Sequence, residues 1–417
     1  MKHFQDKVVR SLVTGAALAL SNSALAAGFQ LVEHSASGMG RAYAGEAAIA
    51  DDASVLAANP AAMSLIEKTT FSGALSYIDP NVEVDGERSF TAFPLPSRDA
   101  GKDSAAPSAL VPAVYFVHPL NDQVTVGIGA FSNFGLETDY GDGFGASDIA
   151  NKTSITTVNI NPSIAYKLSD QFSLGFGINY VRAEAELLST VPDGVPGLAR
   201  AKNVDLSGDG DAWGWNAGVL WNLSQNTRLG LAYRSKLSIK LEGDIKSDTI
   251  LAFNDSGSLT VDLPDITELS LFQRINDQFA VHASVTYMGW ENFDNLEVKL
   301  NSGVDKVLKE ENWDDSIRYA LGATYDVDSN LTLRAGLALD ETPVAEENRS
   351  LSIPDADRMW YSIGATYRVN ANLSVDAGYT HLNGDKVYLS EESTLGEFNG
   401  SSEGDANLYS VQLNWVL

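Results

Sequence analysis

The sequence predicts an all-β fold: a fourteen-stranded antiparallel transmembrane β-barrel with a small N-terminal hatch, or plug, of short helices. Three observations point there. Apolar residues recur with period two from about Thr69 to the C-terminus, connections alternate between short turns and long polar links, and a stretch rich in Ala, Gly and Ser precedes the first strand. A barrel crosses lipid with every second residue apolar, so it needs no continuous apolar run of roughly 18 residues, and this chain has none.

Residues 1–26 read as a secretory signal peptide. Lys2, Lys7 and Arg10 form a positive n-region, Leu12 to Leu20 supply a short apolar run, and Ala24, Leu25 and Ala26 end it. Removing three basic residues and Asp6 takes the net charge from −27 to −29. So acidic a chain has no electrostatic case for binding nucleic acid. The absence of cysteine excludes a disulfide framework and a thiolate metal site.

Residues 27–66 lack the strand period and are expected to form the plug. Asn59 suits a helix N-cap and Pro60 the first helical position, where a missing N–H costs nothing; Ala61 continues that turn. Small residues fit inside a barrel of this size, which would otherwise be an open channel. Arg41, Glu46, Asp51 and Asp52 are tolerable in a polar lumen and not in lipid.

The barrel is expected over residues 67–417. Along residues 172–180, Phe172, Leu174, Phe176, Ile178 and Tyr180 share one face, while Ser173, Gly175, Gly177 and Asn179 share the other. Leu331, Leu333, Ala335, Leu337 and Leu339 alternate in the same way with Thr332, Arg334, Gly336 and Ala338. Successive strand side chains point to opposite faces, so each segment has one greasy side. Tyrosines recur near strand ends (Tyr166, Tyr180, Tyr233, Tyr287, Tyr325, Tyr367, Tyr379), as interfacial girdles require.

Six short turns, at 119–123, 168–171, 223–226, 275–278, 327–330 and 369–372, are rich in Asp, Asn and Ser, which bond their own main chain. Seven long polar links lie near 79–108, 135–155, 188–213, 240–264, 289–315, 340–359 and 382–406. An even strand count places the long links outside the cell, and closure leaves no unpaired edge in lipid. The last strand alternates Tyr409, Val411, Leu413, Trp415 and Leu417.

Strand three breaks its own period. Val124, Val126, Ile128 and Ala130 face out and Thr125, Gly127 and Gly129 face in, but then Phe131 takes the inward and Ser132 the outward position. An inserted residue produces such a slip. Asn133, Phe134 and Gly135 follow, and Pro112 and Pro162, which cannot donate to a ladder, stand in the neighbouring strands. Residues 131–135 either end the strand or open the wall.

A lumenal ligand with an anionic end would need cations. The inward phase offers Arg234 and Lys236 on strand seven, Arg318 on strand ten and Arg334 on strand eleven. Two long links carry apolar residues, Val191, Val195 and Leu198 in one and Ile250, Leu251 and Phe253 in the other. These either pack within their loops or present a greasy surface. After residue 26 the histidines are His34, His118, His282 and His381, with no Gly-x-Ser-x-Gly, so no enzyme is expected.

Residues 27–45 (AGFQLVEHSASGMGRAYAG) with Asn59, Pro60 and Ala61, the run 132–136 (SNFGL), and the runs 340–344 (DETPV) and 348–360 (NRSLSIPDADRMW) together resemble the FadL family, outer-membrane transporters of long-chain fatty acids. The resemblance covers essentially everything after residue 26. It implies a monomer in the Gram-negative outer membrane, without cofactor, whose N-terminal hatch rearranges and whose kinked third strand is a lateral gate into outer-membrane lipid. It implies capture of a long-chain fatty acid, or a similar hydrophobic small molecule, at the 188–213 and 240–264 loops. It also implies basic residues around the carboxylate; Lys309 matches one such position and Leu187 stands at another. The last strand resembles the signal read by the barrel-assembly machinery, ending in Leu where most end in Phe. Relatives within the family import aromatic hydrocarbons, which is the alternative substrate class.

Overall fold

The computed structural model describes residues 28–303 and 305–417, so the signal-peptide reading falls outside the described residues. Fourteen antiparallel strands close into a barrel. They are β1 (Thr70–Phe90), β2 (Ala109–Pro119), β3 (Val124–Phe131 and Gly135–Asp139), β4 (Lys152–Lys167), β5 (Phe172–Thr190), β6 (Lys202–Asn222) and β7 (Thr227–Arg234 and Leu237–Lys246). Then come β8 (Asp255–Leu263 and Ile266–Arg274), β9 (Phe279–Met288, continued by Asn295–Leu300), β10 (Asp305–Glu310 and Ser316–Asp326) and β11 (Leu331–Asp340). β12 (Arg358–Arg368), β13 (Leu373–Gly384, continued by Val387–Ser393) and β14 (Gly396–Val416) complete the wall. Closure is direct: β14 pairs with β1 from Thr70–Val416 to Phe90–Gly396.

The alternation is inside out relative to a water-soluble sandwich. Leu174, Phe176, Ile178, Leu333, Leu337, Val411 and Leu413 are exposed, whereas Ser173, Asn179, Thr332, Arg334, Ser410 and Gln412 are buried. A contiguous apolar belt on the outside with a polar lumen is the pattern of a barrel solvated by lipid. The short turns are closed by their own side chains. Asn121 Oδ1 accepts from the Gln123 and Val124 N–H groups at 2.9 and 3.0 Å, and Asn276, Asp328 and Asn370 do the same in theirs.

The long links are less loop-like than their polarity suggested. Much of 240–264 is paired strand, with Lys240 facing Thr260 and Leu241 facing Leu259. Leu241, Ile245, Leu259 and Val261 point into the interior, while Lys240, Glu242 and Thr260 stand exposed on the other side. The ladder therefore continues beyond the lipid belt, where the outer face meets water and becomes polar.

The N-terminal segment fills the lumen. It contains α1 (Ala36–Met39), α2 (Val55–Ala58) and two 3₁₀ turns, Glu46–Ala48 and Pro60–Leu65. Asn59 caps the last of these, accepting from Ala61 N at 2.9 Å with Pro60 in the first position. Its amide also donates to Ala47 O at 2.7 Å and Val219 O at 3.2 Å, tying the plug to itself and to β6. Inward glycines let the plug backbone lie against the wall: a Cβ at Gly218 would collide with Asn59, at Gly175 with Pro60 and Ala61, and at Gly336 with Arg41. Arg41 is buried and bonded to Glu46 at 2.7 Å and Asp51 at 2.9 Å, so its charge is compensated within the plug.

Candidate functional site

The β2–β3 ladder runs from Pro119–Thr125 only to Val114–Ala130. Above it, among the described residues, no strand pairing joins residues 109–113 of β2 to the upper half of β3. The cause is one extra residue. Phe131 faces Asn159 and Gly135 faces Thr156, so β3 advances four positions while β4 advances three. Such a bulge bends its strand, and here it carries Phe134 into the interior, where it is almost fully buried.

The N-terminal segment fills the break. Leu31 N donates to Asn133 O at 2.7 Å and Gly135 N donates to Phe29 O at 2.9 Å, making Gln30 and Phe134 an antiparallel bridge. Leu31 packs in one cluster with Ala109 and Val111 of β2. Residues 29–31 thus act as a short surrogate strand. Thr157 braces the kink from β4, donating to Phe134 O at 2.6 Å and accepting from Phe134 N at 3.3 Å. Pro162 faces Ile128 of β3, while the ladder to β5 skips residues 161 and 162. Asn161 Nδ2 donates to Ile178 O at 2.8 Å, replacing the missing proline donor. Pro112 faces Leu75 of β1 and lies above the last β2–β3 pair.

Above the plug lies an apolar chamber that its own side chains pack full. Phe29 meets the edges of Trp290 at 4.7 Å, Phe293 at 5.4 Å and Phe134 at 6.2 Å between ring centroids, with Trp313 tilted at 5.7 Å. Leu136, Val181, Leu206, Ile239 and Leu263 line the same cluster, with Leu187 packed at its margin. The chain leading into it is latched: Gly28 N donates to Asp355 Oδ2 at 3.0 Å. Gly28 has a positive φ of 62°, and a Cβ there would run into Trp313 and Trp290. Asp355 is gripped by Arg358 and Thr342, and burial pushes its carboxyl above the ordinary range against the pull of Arg358. The acidic and basic residues of the 348–360 run are therefore partly explained as the seat of this latch. In the plug, burial raises the Glu33 carboxyl to about 7, outweighing the backbone N–H groups of Glu33 and Val32.

The predicted basic residues separate. Arg234 is buried over the Phe131 ring at 5.6 Å and donates to Asn179 Oδ1 and, at 2.7 Å, to Ala57 O. Arg318 stacks on Trp360 at 4.8 Å and donates to Ala42 O at 2.9 Å. The two arginines share a cavity of about 70 Å³ with Gln30, Leu31, Asn133 and Glu268, directly behind the break. Arg334 is ion-paired with Asp51 at 3.1 Å. Lys309 is salt-bridged to Glu391 at 3.1 Å. Lys236 corrects the inward assignment: strand β7 has its own slip at residues 235 and 236, which turns Lys236 outward, exposed and bonded to Asn292 at 3.2 Å.

In the loops, Val191 and Val195 are buried, whereas Leu198, Ile250 and Leu251 are exposed, Leu251 at 82%. Phe253 packs against the chamber. Only part of each set is available as a surface.

Sequence reasoning missed an asparagine ladder across the inner wall. Asn159 Nδ2 donates to Asn133 and Asn179 at 2.9 Å each, and Asn216 Oδ1 accepts from Asn161 at 2.9 Å and Asn179 at 3.2 Å. The signal was available: asparagine at inward positions on consecutive strands. Trp290 and Trp313, which lie in a long link, gave no such signal.

The family profile described as outer membrane protein transport protein (OMPP1/FadL/TodX) matches residues 17–416. A long-chain fatty acid transport protein of Escherichia coli O6:H1 is 38% identical, with 98% of this chain and 99% of the relative covered. Outer membrane protein P1 of Haemophilus influenzae is 38% identical over the same shares. Among solved structures, a Pseudomonas aeruginosa FadL homologue superposes with a TM-score of 0.84 at 25% identity, covering 94% of this chain and 100% of the other. The Ralstonia pickettii toluene transporter TbuX has a TM-score of 0.66 at 18% identity, covering 95% and 99%, and so shares the fold.

Proposed function

The chain belongs to the OMPP1/FadL/TodX family of outer-membrane transport proteins of Gram-negative bacteria, and from that premise we propose that it imports long-chain fatty acids and releases them sideways through the break in β3. The acyl chain enters the aromatic chamber and competes with Phe29 for it. Burying a phenylalanine side chain is worth roughly 1.5–3 kcal/mol and each buried methylene about 0.8 kcal/mol, so about two to four methylenes offset the loss of Phe29. Once Phe29 leaves, residues 29–31 no longer bridge Asn133, Phe134 and Gly135, and the wall opens beside β2. The carboxylate passes to Arg234, whose guanidinium forms no salt bridge among the described residues. Movement is diffusive, drawn onward by consumption of the imported fatty acid.

The observation that carries this reading is the Gln30–Phe134 bridge, because one segment both plugs the lumen and closes the side. The chamber is equally greasy for an aromatic hydrocarbon, but a buried cation beside the break favours a carboxylate. The test is uptake of labelled oleate and labelled toluene by cells that lack their own transporters and express this chain. Oleate uptake above that of cells without the chain supports the reading; toluene uptake alone overturns it in favour of the hydrocarbon class.

A further inference from the structure

The wall has a second break, between β6 and β7. The β6–β7 ladder pairs Asn216 with Arg234 and resumes at Asp209 with Glu242, so β7 advances eight positions while β6 advances seven. Among the described residues no ladder register joins the strands between these pairs; Trp215 and Ser235 exchange bonds there, at 2.9 and 3.0 Å. β8 bends together with β7, keeping Ile266 opposite Arg234 and Leu263 opposite Leu237, so the break faces β6.

It repeats the geometry of the first. Each break follows an eight-residue lower half-strand, Val124–Phe131 or Thr227–Arg234, which sets both at one height above the short turns. The last residues of those halves, Phe131 and Arg234, touch across the lumen. The inward residues of β6 behind the second break are Ala212 and Gly214, which present almost no side chain, and Gly210 lies against the Lys240 carbonyl at its upper end. Leu237 reaches into the space beside Ser235: a Cβ on Gly214 would stand 2.7 Å from Leu237 Cδ2. Leu237 is itself part of the apolar chamber.

The outer rim names the occupant. Trp213 is 70% exposed and Tyr180 lies 5.0 Å from it, a pair suited to the membrane interface. The exposed ammonium of Lys236 stands at the same break. An anionic head at Lys236 with a single acyl chain leading past Leu237 fits this arrangement. We infer that the β6–β7 break is a side entrance through which a fatty acid already dissolved in the outer leaflet reaches the chamber without passing the capture loops. This rests on the fatty-acid reading above and adds the route.

The chain has no cysteine, so a staple can be read cleanly. A Cβ on Gly214 would lie 2.9 Å from Ser235 Oγ, within reach of a disulfide in Gly214→Cys/Ser235→Cys. The variant is reconstituted in vesicles with a diazirine-bearing fatty acid predissolved in the bilayer, and brief photolysis is followed by mapping of labelled peptides. The oxidised staple is expected to lower labelling of the Trp290 peptide severalfold while lipid-facing peptides label as before, and reduction restores it. Leu237→Ala, which needs no cysteine, is expected to raise it. Unchanged Trp290 labelling with the staple formed overturns the side entrance while leaving the fatty-acid reading intact. Failure of the unstapled chain to label there, with probe supplied in water or in lipid, overturns both.

Discussion

Gln30 of the plug and Phe134 of the third strand face each other as an antiparallel bridge, flanked by the Leu31–Asn133 and Phe29–Gly135 hydrogen bonds. The same three consecutive residues, 29–31, therefore belong to the segment that fills the lumen and bond to the broken part of the wall. Two further anchors hold them: the Phe29 ring in the aromatic chamber and the Gly28 N–H on Asp355. Any ligand that occupies the chamber acts on the first of these directly.

Truncating Phe29 should weaken the seal without harming the barrel. A core Phe→Ala change costs about 3 kcal/mol, borne here by the closed state of the segment. In Phe29→Ala, amide exchange at Leu31 and Gly135 is expected to accelerate markedly while amides of β11 and β12 exchange as before. Equal exchange in the two proteins would show that Phe29 does not anchor the seal.

The seal should also respond to pH through Glu33. Its carboxyl sits at about 7 in the closed plug against an ordinary value of 4.5. A raised value favours the closed state fully below the ordinary value, and that contribution is lost as pH rises through about 7. Opening of residues 31–33, read by amide exchange corrected for its intrinsic pH dependence, is therefore expected to increase above neutrality. Glu33→Gln should remove the dependence, and persistence of the same profile in that variant would assign it elsewhere.

Much of this architecture is written in the chain. Period-two alternation and the Asn- and Asp-rich turns give the strands, Asn59 and Pro60 give a helical start, and the slip at Phe131 and Ser132 marks the first break. The second slip hides because the apolar residues keep one sequence phase through it: Leu229, Leu231 and Tyr233 are followed by Leu237, Ile239 and Leu241, which turn into the interior, and Lys236 goes outward with the change of face. The chamber hides for another reason. Its aromatic wall comes from Phe29, Phe293, Trp290 and Trp313, which lie outside the regular strands and meet only when the barrel closes. Sequence alternation reports which face a residue takes, and not which distant loop it meets.

Deleting Ser132 removes the extra residue and lets β3 keep one register against β2 and β4. The barrel is expected to assemble and resist detergent as the parent does, while oleate uptake falls to the level of cells without the chain. Full uptake by this folded variant would show that the substrate does not leave beside β3.

The most direct measurement locks the bridge itself. Residues opposite each other without mutual hydrogen bonds lie close, about 4.5 Å between Cα atoms, and suit a cross-strand disulfide. In Gln30→Cys/Phe134→Cys, oxidation should abolish oleate uptake and reduction should restore it in the same cells. Undiminished uptake with the disulfide formed would contradict lateral release through this break.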